Sequence, residues 1–308
     1  MAAAILRDVS FDDKTYKAFI AAQEKLHDTF CRARKYASIG THDLDTIKGP
    51  FRYEARDPKD FEFVPLNQEA KVNGHGMMEL LENHKLKEYL PLIRDSPVYP
   101  LIVDSQGVIC SVPPIINGEH SKISINTKNV LIEVTALNRP KAYVCLNTLI
   151  WSFSEYCKTP FQVEPVEVIN GEEKFVSPDI SPREFTLVHS HAENLIGAKL
   201  TAEQISGYLE RTGLSIESSG EDSYKVSAPF WRGDVLHECD ILEDIAICYG
   251  YRKIEPVLPP AATVGKRVRV NKFTDFLRQE MAQAQFNEVL NFALCSKADV
   301  TTNIGNED

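Results

Sequence analysis

The chain has 308 residues, 43% of them hydrophobic and 25% charged, with a formal net charge of −10. That composition supplies two or three domains with cores of their own and excludes a disordered chain. The acidic balance excludes a protein that wraps nucleic acid over its whole surface.

Seven cysteines (31, 110, 145, 157, 239, 248, 295) are scattered without a C-x-x-C pair. This is the pattern of reduced intracellular thiols, not of a zinc site or a disulfide framework. Ala2 to Leu6 is too short a run for a signal peptide, and no run approaches the roughly 18 apolar residues of a membrane span. A cytoplasmic protein is expected.

In chain order, residues 5–9 read as a strand and residues 13–34 as an amphipathic helix, with Tyr16, Phe19, Ile20, Leu26 and Phe30 at helical spacing. Residues 37–45 form a strand that breaks into the polar turn His42-Asp43-Leu44-Asp45. A charged helix over 77–90 ends at Pro91. Residues 101–103 and 108–112 flank Asp104-Ser105-Gln106-Gly107 and predict a hairpin. Pro113-Pro114 forces an extended exit. Residues 121–126 alternate, 130–135 are a nearly unbroken apolar strand, and 141–157 have helical periodicity.

A turn-rich connection carrying a strand or two follows, over 160–182. Residues 185–188 open a second unit. Its helix at 201–212 has Thr201 and Gln204 as a capping box and Gly213 just past its end. Residues 214–217 and 224–228 flank Ser219-Gly220 as a hairpin, and 235–249 form an acidic helix with Leu242, Ile245 and Tyr249 toward the core. Together these resemble a winged-helix arrangement. Pro256, Pro259 and Pro260 mark a linker, after which 273–285 read as a helix and 289–295 as a strand. Fewer than about 50 residues there cannot bury enough surface to stand alone. The fold class expected is α+β and multidomain, divided at 1–165, 166–181 (linker), 182–256, 257–264 (linker) and 265–308.

Asp234, Asp240, Glu243 and Asp244 are the densest constellation of chemistry-bearing residues, and the last three share a helix face. Like charges three and four apart repel, so a cation, a basic partner or bulk water must absorb the repulsion. Carboxylates suit a hard cation such as magnesium. Capping is the competing reading for Asp234, which sits where a helix begins.

Three stretches in this order and spacing resemble the beta subunit of cytosolic phenylalanine–tRNA ligase of the eukaryotic or archaeal type. They are Ile39-Gly40-Thr41-His42-Asp43-Leu44-Asp45, Pro113-Pro114-Ile115-Ile116-Asn117-Gly118, and Arg232-Gly233-Asp234 through Glu243-Asp244 to Tyr249-Gly250-Tyr251. Asn291 to Ser296 matches as well. The resemblance covers essentially the whole chain and implies an internal portion of that subunit: an editing domain at 1–165, a winged-helix-like domain at 182–256 and the start of a catalytic-like module. It also implies an alpha-subunit partner carrying the aminoacylation site in a heterotetramer of two alpha and two beta, phenylalanine tRNA as substrate, and ATP-dependent ligation. Magnesium on Asp234, Asp240, Glu243 and Asp244 is implied in the same way.

Editing has a definite chemical demand. Tyrosine exceeds phenylalanine by one hydroxyl, which apolar contacts alone reject poorly, so a second site must grip that hydroxyl and hydrolyse the ester. Glu133, inside an otherwise apolar strand, is the acceptor expected, with Thr135 on the same strand face. Ser111, Asn117, Leu101 and Ile102 are expected to complete the pocket. A strand-edge ion pair for Glu133, and turn or backbone hydrogen bonding for Ser111 and Asn117, remain open. His42, Asp43 and Asp45 read as a turn. Arg32, Arg34 and Lys35 are candidate phosphate contacts. The alternatives are a non-catalytic RNA-binding and subunit-assembly module, against which the acidity of the last helix counts, and a magnesium-dependent phosphohydrolase. The latter needs a second ligand cluster, for which His189, His191 and Glu193 offer only a polar turn.

Overall fold

A computed structural model of the chain describes residues 1–218, 220, 222–258 and 264–305. It divides into Met1–Glu255 and Pro256–Asp308. In the first unit the elements run β1 (Ala2–Leu6), α1 (Asp13–Asp28), β2 (Ala37–Asp43), β3 (Arg52–Arg56), β4 (Glu62–Phe63), β5 (Val72–Asn73), α2 (Gly74–Leu81), β6 (Tyr99–Val103), β7 (Ile109–Val112), β8 (Ile116–Asn117), β9 (Val130–Ala136) and α3 (Arg139–Phe153). The hairpin β10 (Glu164–Asn170) and β11 (Glu173–Ser177) follows, then β12 (Arg183–Val188), α4 (His189–Ile196), α5 (Ala202–Arg211), β13 (Ser215–Ser218), β14 (Ser223–Ala228) and α6 (Glu238–Tyr249). The second unit holds α7 (Arg269–Gln283) and α8 (Lys297–Val300). The fold is α+β.

Two sheets stack at the centre of the first domain. One is antiparallel in the order β11-β10-β1-β9-β2; the other runs β3-β6-β7-β8. Strand alternation sorts the residues of the first sheet. Ala2, Ala4, Leu6, Ile39, Ile132 and Val134 turn to one face and pack with Phe19 of α1 and Cys145, Leu146 and Leu149 of α3. Ala3, Ile5 and Leu131 turn to the other and meet Ile102 and Cys110 of the second sheet. The far face of that second sheet carries Leu101, Val103 and Val112 onto Met77, Met78 and Leu81 of α2. The result is four layers: helices, sheet, sheet, helix. Glu133 lies within β9, an interior strand between β1 and the edge strand β2, on the face turned to the second sheet.

Several local readings give way to tertiary demands. The first helix stops at Asp28, and Arg32, Ala33 and Arg34 are left-handed, with φ of 50, 51 and 61°. That turn carries Arg34 inward beneath the Pro114 and Ile115 carbonyls. The charged helix is short, Gly74–Leu81, and continues as a 3₁₀ segment through Pro91. Residues 121–126 form no strand but follow a 3₁₀ turn, because Ser124 and Thr127 bond each other locally. The connection over 166–181 is largely the β10–β11 hairpin, which extends the first sheet through β1.

In the second domain β12-β14-β13 form a sheet covered by α4, α5 and α6. The capping box of Thr201 and Gln204 is present, and Gly213 is left-handed at φ 78°. The turn expected at Ser219, and Pro259 and Pro260 of the linker, lie outside the described residues. His189, His191 and Glu193 sit on α4 and not in a turn. His189 bonds Tyr224 and the Leu200 carbonyl, His191 bonds Glu238, and Glu193 takes the Leu200 amide and Lys199.

The domains of the first unit meet along α3. Gly233 approaches Val144 so closely that a Cβ there would stand 3.2 Å from the valine side chain. Trp151 and Trp231 stack with centroids 3.7 Å apart at 9°. In the second unit no described residue is buried, and residues 289–295 form no strand: a lone strand has no ladder to join.

Candidate functional site

A cavity of about 520 Å³ opens along the free edge of β2, walled by α1, the Pro113–Asn117 loop and residues of β7 and β9. An exposed strand edge leaves backbone groups to satisfy. Here side chains do it: Gln23 Nε2 donates to the Ile39 carbonyl at 2.9 Å, the Ile39 amide donates to His27 Nε2 at 2.9 Å, and Asn117 Nδ2 donates to the Thr41 carbonyl at 3.2 Å. The edge is sealed against another strand and at the same time lined with polar groups.

Glu133 is 2% exposed on the cavity wall. Ser111 donates to its Oε1 at 3.2 Å, and His42 Nε2 stands 3.8 Å from the same oxygen. Its cross-strand neighbour is Gly40, where a Cβ would come within 2.1 Å of Oε1. Glycine weakens a strand interior and marks a close approach, and the carboxylate is what approaches here. The ion-pair reading of Glu133 is limited to the histidine, since no Lys or Arg reaches it among the described residues. His42 is fully buried, and its Nδ1 is 2.8 Å from Ser121 Oγ, which itself donates to the Cys110 carbonyl at 3.4 Å. In the neutral ring this places the proton on Nδ1 and makes Nε2 an acceptor. Glu133 Oε2 and His42 Nε2 both lack a hydrogen-bond partner. Two adjacent buried acceptors without a donor are costly and call for a donating ligand.

Of the residues expected in this pocket, Glu133, Ser111 and Asn117 line it. Thr135 is buried two residues on, opposite Ser38, but is not on the cavity wall. Leu101 belongs to the core against α2 and Ile102 to the layer between the sheets, so neither reaches the cavity. Both are fully buried, and strand alternation sends each to a packed face. Of the residues expected in a turn, His42 and Asp43 lie in β2 and Asp45 in the 3₁₀ turn that Asp43 caps: Asp43 accepts from the Asp45 amide and Thr127, and Asp45 from Asn129. The residues missed are Gly40, His42, Gln23 and His27. Period two would have found the first two, because Ser38, Gly40 and His42 pair with Thr135, Glu133 and Leu131.

The basic run 32–35 divides. Arg32 is exposed and stacks on Tyr36 with 4.7 Å to the ring centroid. Arg34 is turned inward over Tyr89 at 4.6 Å, so it is no surface phosphate contact.

Three of the four acids are partnered within the chain. Arg232 donates through Nε and Nη2 to both oxygens of Asp234, at 2.9 and 2.7 Å, and through Nη2 to Asp244 at 2.9 Å. These contacts hold the Asp234 carboxyl below the usual range and raise Arg232. Asp240 accepts the Leu236 and His237 amides, which lower its pKa. Glu243 is exposed. Among the described residues no group of three or more His, Cys, Asp or Glu is placed to hold a metal. An arginine and the backbone absorb the repulsion that the spacing implied.

A family model of the B3/4 domain matches residues 14–147, and one of the tRNA synthetase B5 domain matches 185–251. The phenylalanine–tRNA ligase beta subunit of Caenorhabditis elegans is 46% identical over 308 residues, 99% of this chain and 52% of the relative. A beta subunit of Arabidopsis thaliana whose name adds "cytoplasmic" is 42% identical over 311 residues, with 99% and 52% covered. The crystal structure of an N-terminal fragment of the phenylalanyl-tRNA synthetase beta-subunit from Pyrococcus horikoshii has a TM-score of 0.75 at 32% identity, covering 81% of this chain and 70% of that one. The chain spans about half the length of the curated relatives it matches. A B3/4 domain joined to a B5 domain defines the class, a protein of tRNA-synthetase type. Within that class, the chain belongs to the family of phenylalanine–tRNA ligase beta subunits.

Proposed function

We propose that this chain is a portion of a cytoplasmic phenylalanine–tRNA ligase beta subunit whose cavity admits the tyrosyl end of mischarged tRNA and hydrolyses its ester. The observation that carries the reading is the buried Glu133 carboxylate, with one oxygen unpartnered on the wall of a cavity about 520 Å³ in volume. A phenolic hydroxyl donates to that oxygen; phenylalanine has nothing to donate and leaves the carboxylate unsatisfied, which is how a polar site separates analogues differing by one hydroxyl. Ser111 holds the carboxylate in place, and Asn117 fixes the loop against β2. Water attacks the acyl carbon, the bond from that carbon to the ribose oxygen breaks, and a proton passes to the leaving ribose oxygen.

On this reading the alpha subunit carries aminoacylation, in a heterotetramer that takes phenylalanine tRNA. Magnesium serves that step, and Asp234, Asp240, Glu243 and Asp244 are the carboxylates of this chain that would hold it, in an incomplete protein shell at the border with the alpha subunit. The Arg232-centred face of the B5 domain serves assembly. No described helix is long and apolar enough to cross a membrane, and the cytoplasm is the compartment proposed. The test is deacylation of tyrosyl-tRNA by the complex carrying Glu133→Gln. A rate unchanged from the parent sinks Glu133 as the group that grips the hydroxyl.

A further inference from the structure

Four of the five buried side-chain polar atoms that lack a partner among the described residues lie at or beside this one cavity: His27 Nδ1, Arg34 Nε, His42 Nε2 and Glu133 Oε2. They fall into two pairs of opposite character. Glu133 and His42 offer acceptors. His27 and Arg34, on the α1 side, offer donors. His27 Nε2 accepts the Ile39 amide, so the proton of the neutral ring is on Nδ1. Burial first and Arg34 second push His27 down to about 3, which keeps the ring neutral. Arg34 is nine-tenths buried. Its Nη1 donates to the Pro114 and Ile115 carbonyls at 3.1 and 2.9 Å. That leaves the Nε–Nη2 edge, the fork that takes a carboxylate bidentately, without a hydrogen bond. The nearest anion is the half-exposed Glu24, 3.7 Å from Nη2 and beyond hydrogen-bond distance. Two donors cannot satisfy each other; acceptor oxygens of a ligand in the cavity can satisfy them.

We infer that the Arg34 Nε–Nη2 edge and His27 Nδ1 form a second subsite that receives the acyl oxygens of an aminoacyl ligand, on the wall of the same cavity as the hydroxyl-accepting Glu133. This deepens the editing reading and rests on it for the identity of the ligand. The cavity wall carries both characters that a tyrosyl group calls for: acceptors for the ligand's hydroxyl donor and donors for its acyl acceptors. Glu24 competes for Arg34 while the cavity is empty.

Calorimetric titration of the full chain with L-tyrosine, L-tyrosinamide and tyramine tests this, since the three share the phenol and the amine and lose the acyl oxygens in steps. L-Tyrosine is expected to bind at least about tenfold tighter than tyramine, with the amide between them. Arg34→Lys, which keeps the charge and loses the fork, is expected to abolish that preference and leave tyramine binding unchanged. Because Arg34 is buried and its variant is liable to misfold, Glu24→Gln at the half-exposed competitor supplies a second arm, expected to tighten tyrosine about threefold without affecting tyramine. Equal affinity for tyrosine and tyramine, no binding of either, or an unaltered tyrosine affinity in Glu24→Gln overturns the subsite. Competition by inorganic phosphate with no acyl preference would mean that the donors take phosphate, and the acyl assignment falls. Failure of the Glu133 reading is distinguishable: it removes the preference for tyrosine over phenylalanine and leaves the preference for tyrosine over tyramine intact.

Discussion

Glu133 owes its isolation to its neighbours on adjacent strands. A carboxylate enclosed at 2% exposure needs space beside it, and Gly40 provides that space. Replacing Gly40 with alanine puts a carbon 2.1 Å from Oε1. The expected outcome is displacement of the carboxylate with loss of tyrosyl-tRNA deacylation, while the unfolding midpoint falls by far less than after a core truncation. Glu133→Gln keeps the shape and removes the charge. Loss of a charged hydrogen bond of about 1.5–3 kcal/mol predicts a roughly 10- to 150-fold drop in deacylation, read by single-turnover kinetics. His27 is the pH-sensitive residue of the same wall. Its folded pKa lies near 3, below the ordinary 6.5, so the unfolded chain binds more protons between those values. The stability contributed by the neutral ring is therefore complete above about pH 6.5 and is lost as pH falls toward 3, by up to about 1.4 kcal/mol per unit. Urea unfolding at pH 7 and pH 5 checks the sign: His27→Gln, which still accepts from the Ile39 amide, is expected to lose less stability on acidification than the parent.

At the scale of elements, what could be read ahead was whatever depends on near neighbours. The apolar run of β9, the hairpin of β6 and β7 around Asp104–Gly107 and the Thr201–Gln204 capping box follow from alternation, turn chemistry and capping. The end of α1 did not, because the helical pattern continues to Phe30 and only the demand on Arg34 breaks it at Asp28. The cation beside the α6 acids was hidden for a similar reason. Arg232 is two residues from Asp234 but twelve from Asp244, and only the fold shows that one guanidinium serves both. Removing it leaves a largely buried Asp244 without its cation. Arg232→Ala is therefore expected to destabilise the B5 domain by about 2 kcal/mol, below the 3–5 kcal/mol of a fully buried pair because both side chains keep some contact with water. Chemical denaturation followed by tryptophan fluorescence measures it.

For the molecule as a whole, α3 is the seam. Its outer face carries Val144 against Gly233 and Trp151 against Trp231. Asn147 donates to the carbonyls of Asp179 and Phe230. Aromatic pairs of this kind contribute about 0.5–1.5 kcal/mol beyond their buried area. Trp231→Ala is expected to leave both domain cores folded but to separate their melting into two calorimetric transitions; a single unchanged transition would show that the stack does not couple them. The sequence by itself determined the class of fold, the order of the domains, the family and the candidacy of Glu133, because strand alternation, capping and motif spacing are properties of residues close together in the chain. Only the tertiary structure decided that Leu101 and Ile102 are core, that Arg232 pairs with both Asp234 and Asp244, and that His27 and Arg34 share one cavity wall with Glu133. Those facts depend on groups brought together from α1, β2, β7 and β9 across two stacked sheets, and no local pattern encodes which buried polar atoms will be left facing one another.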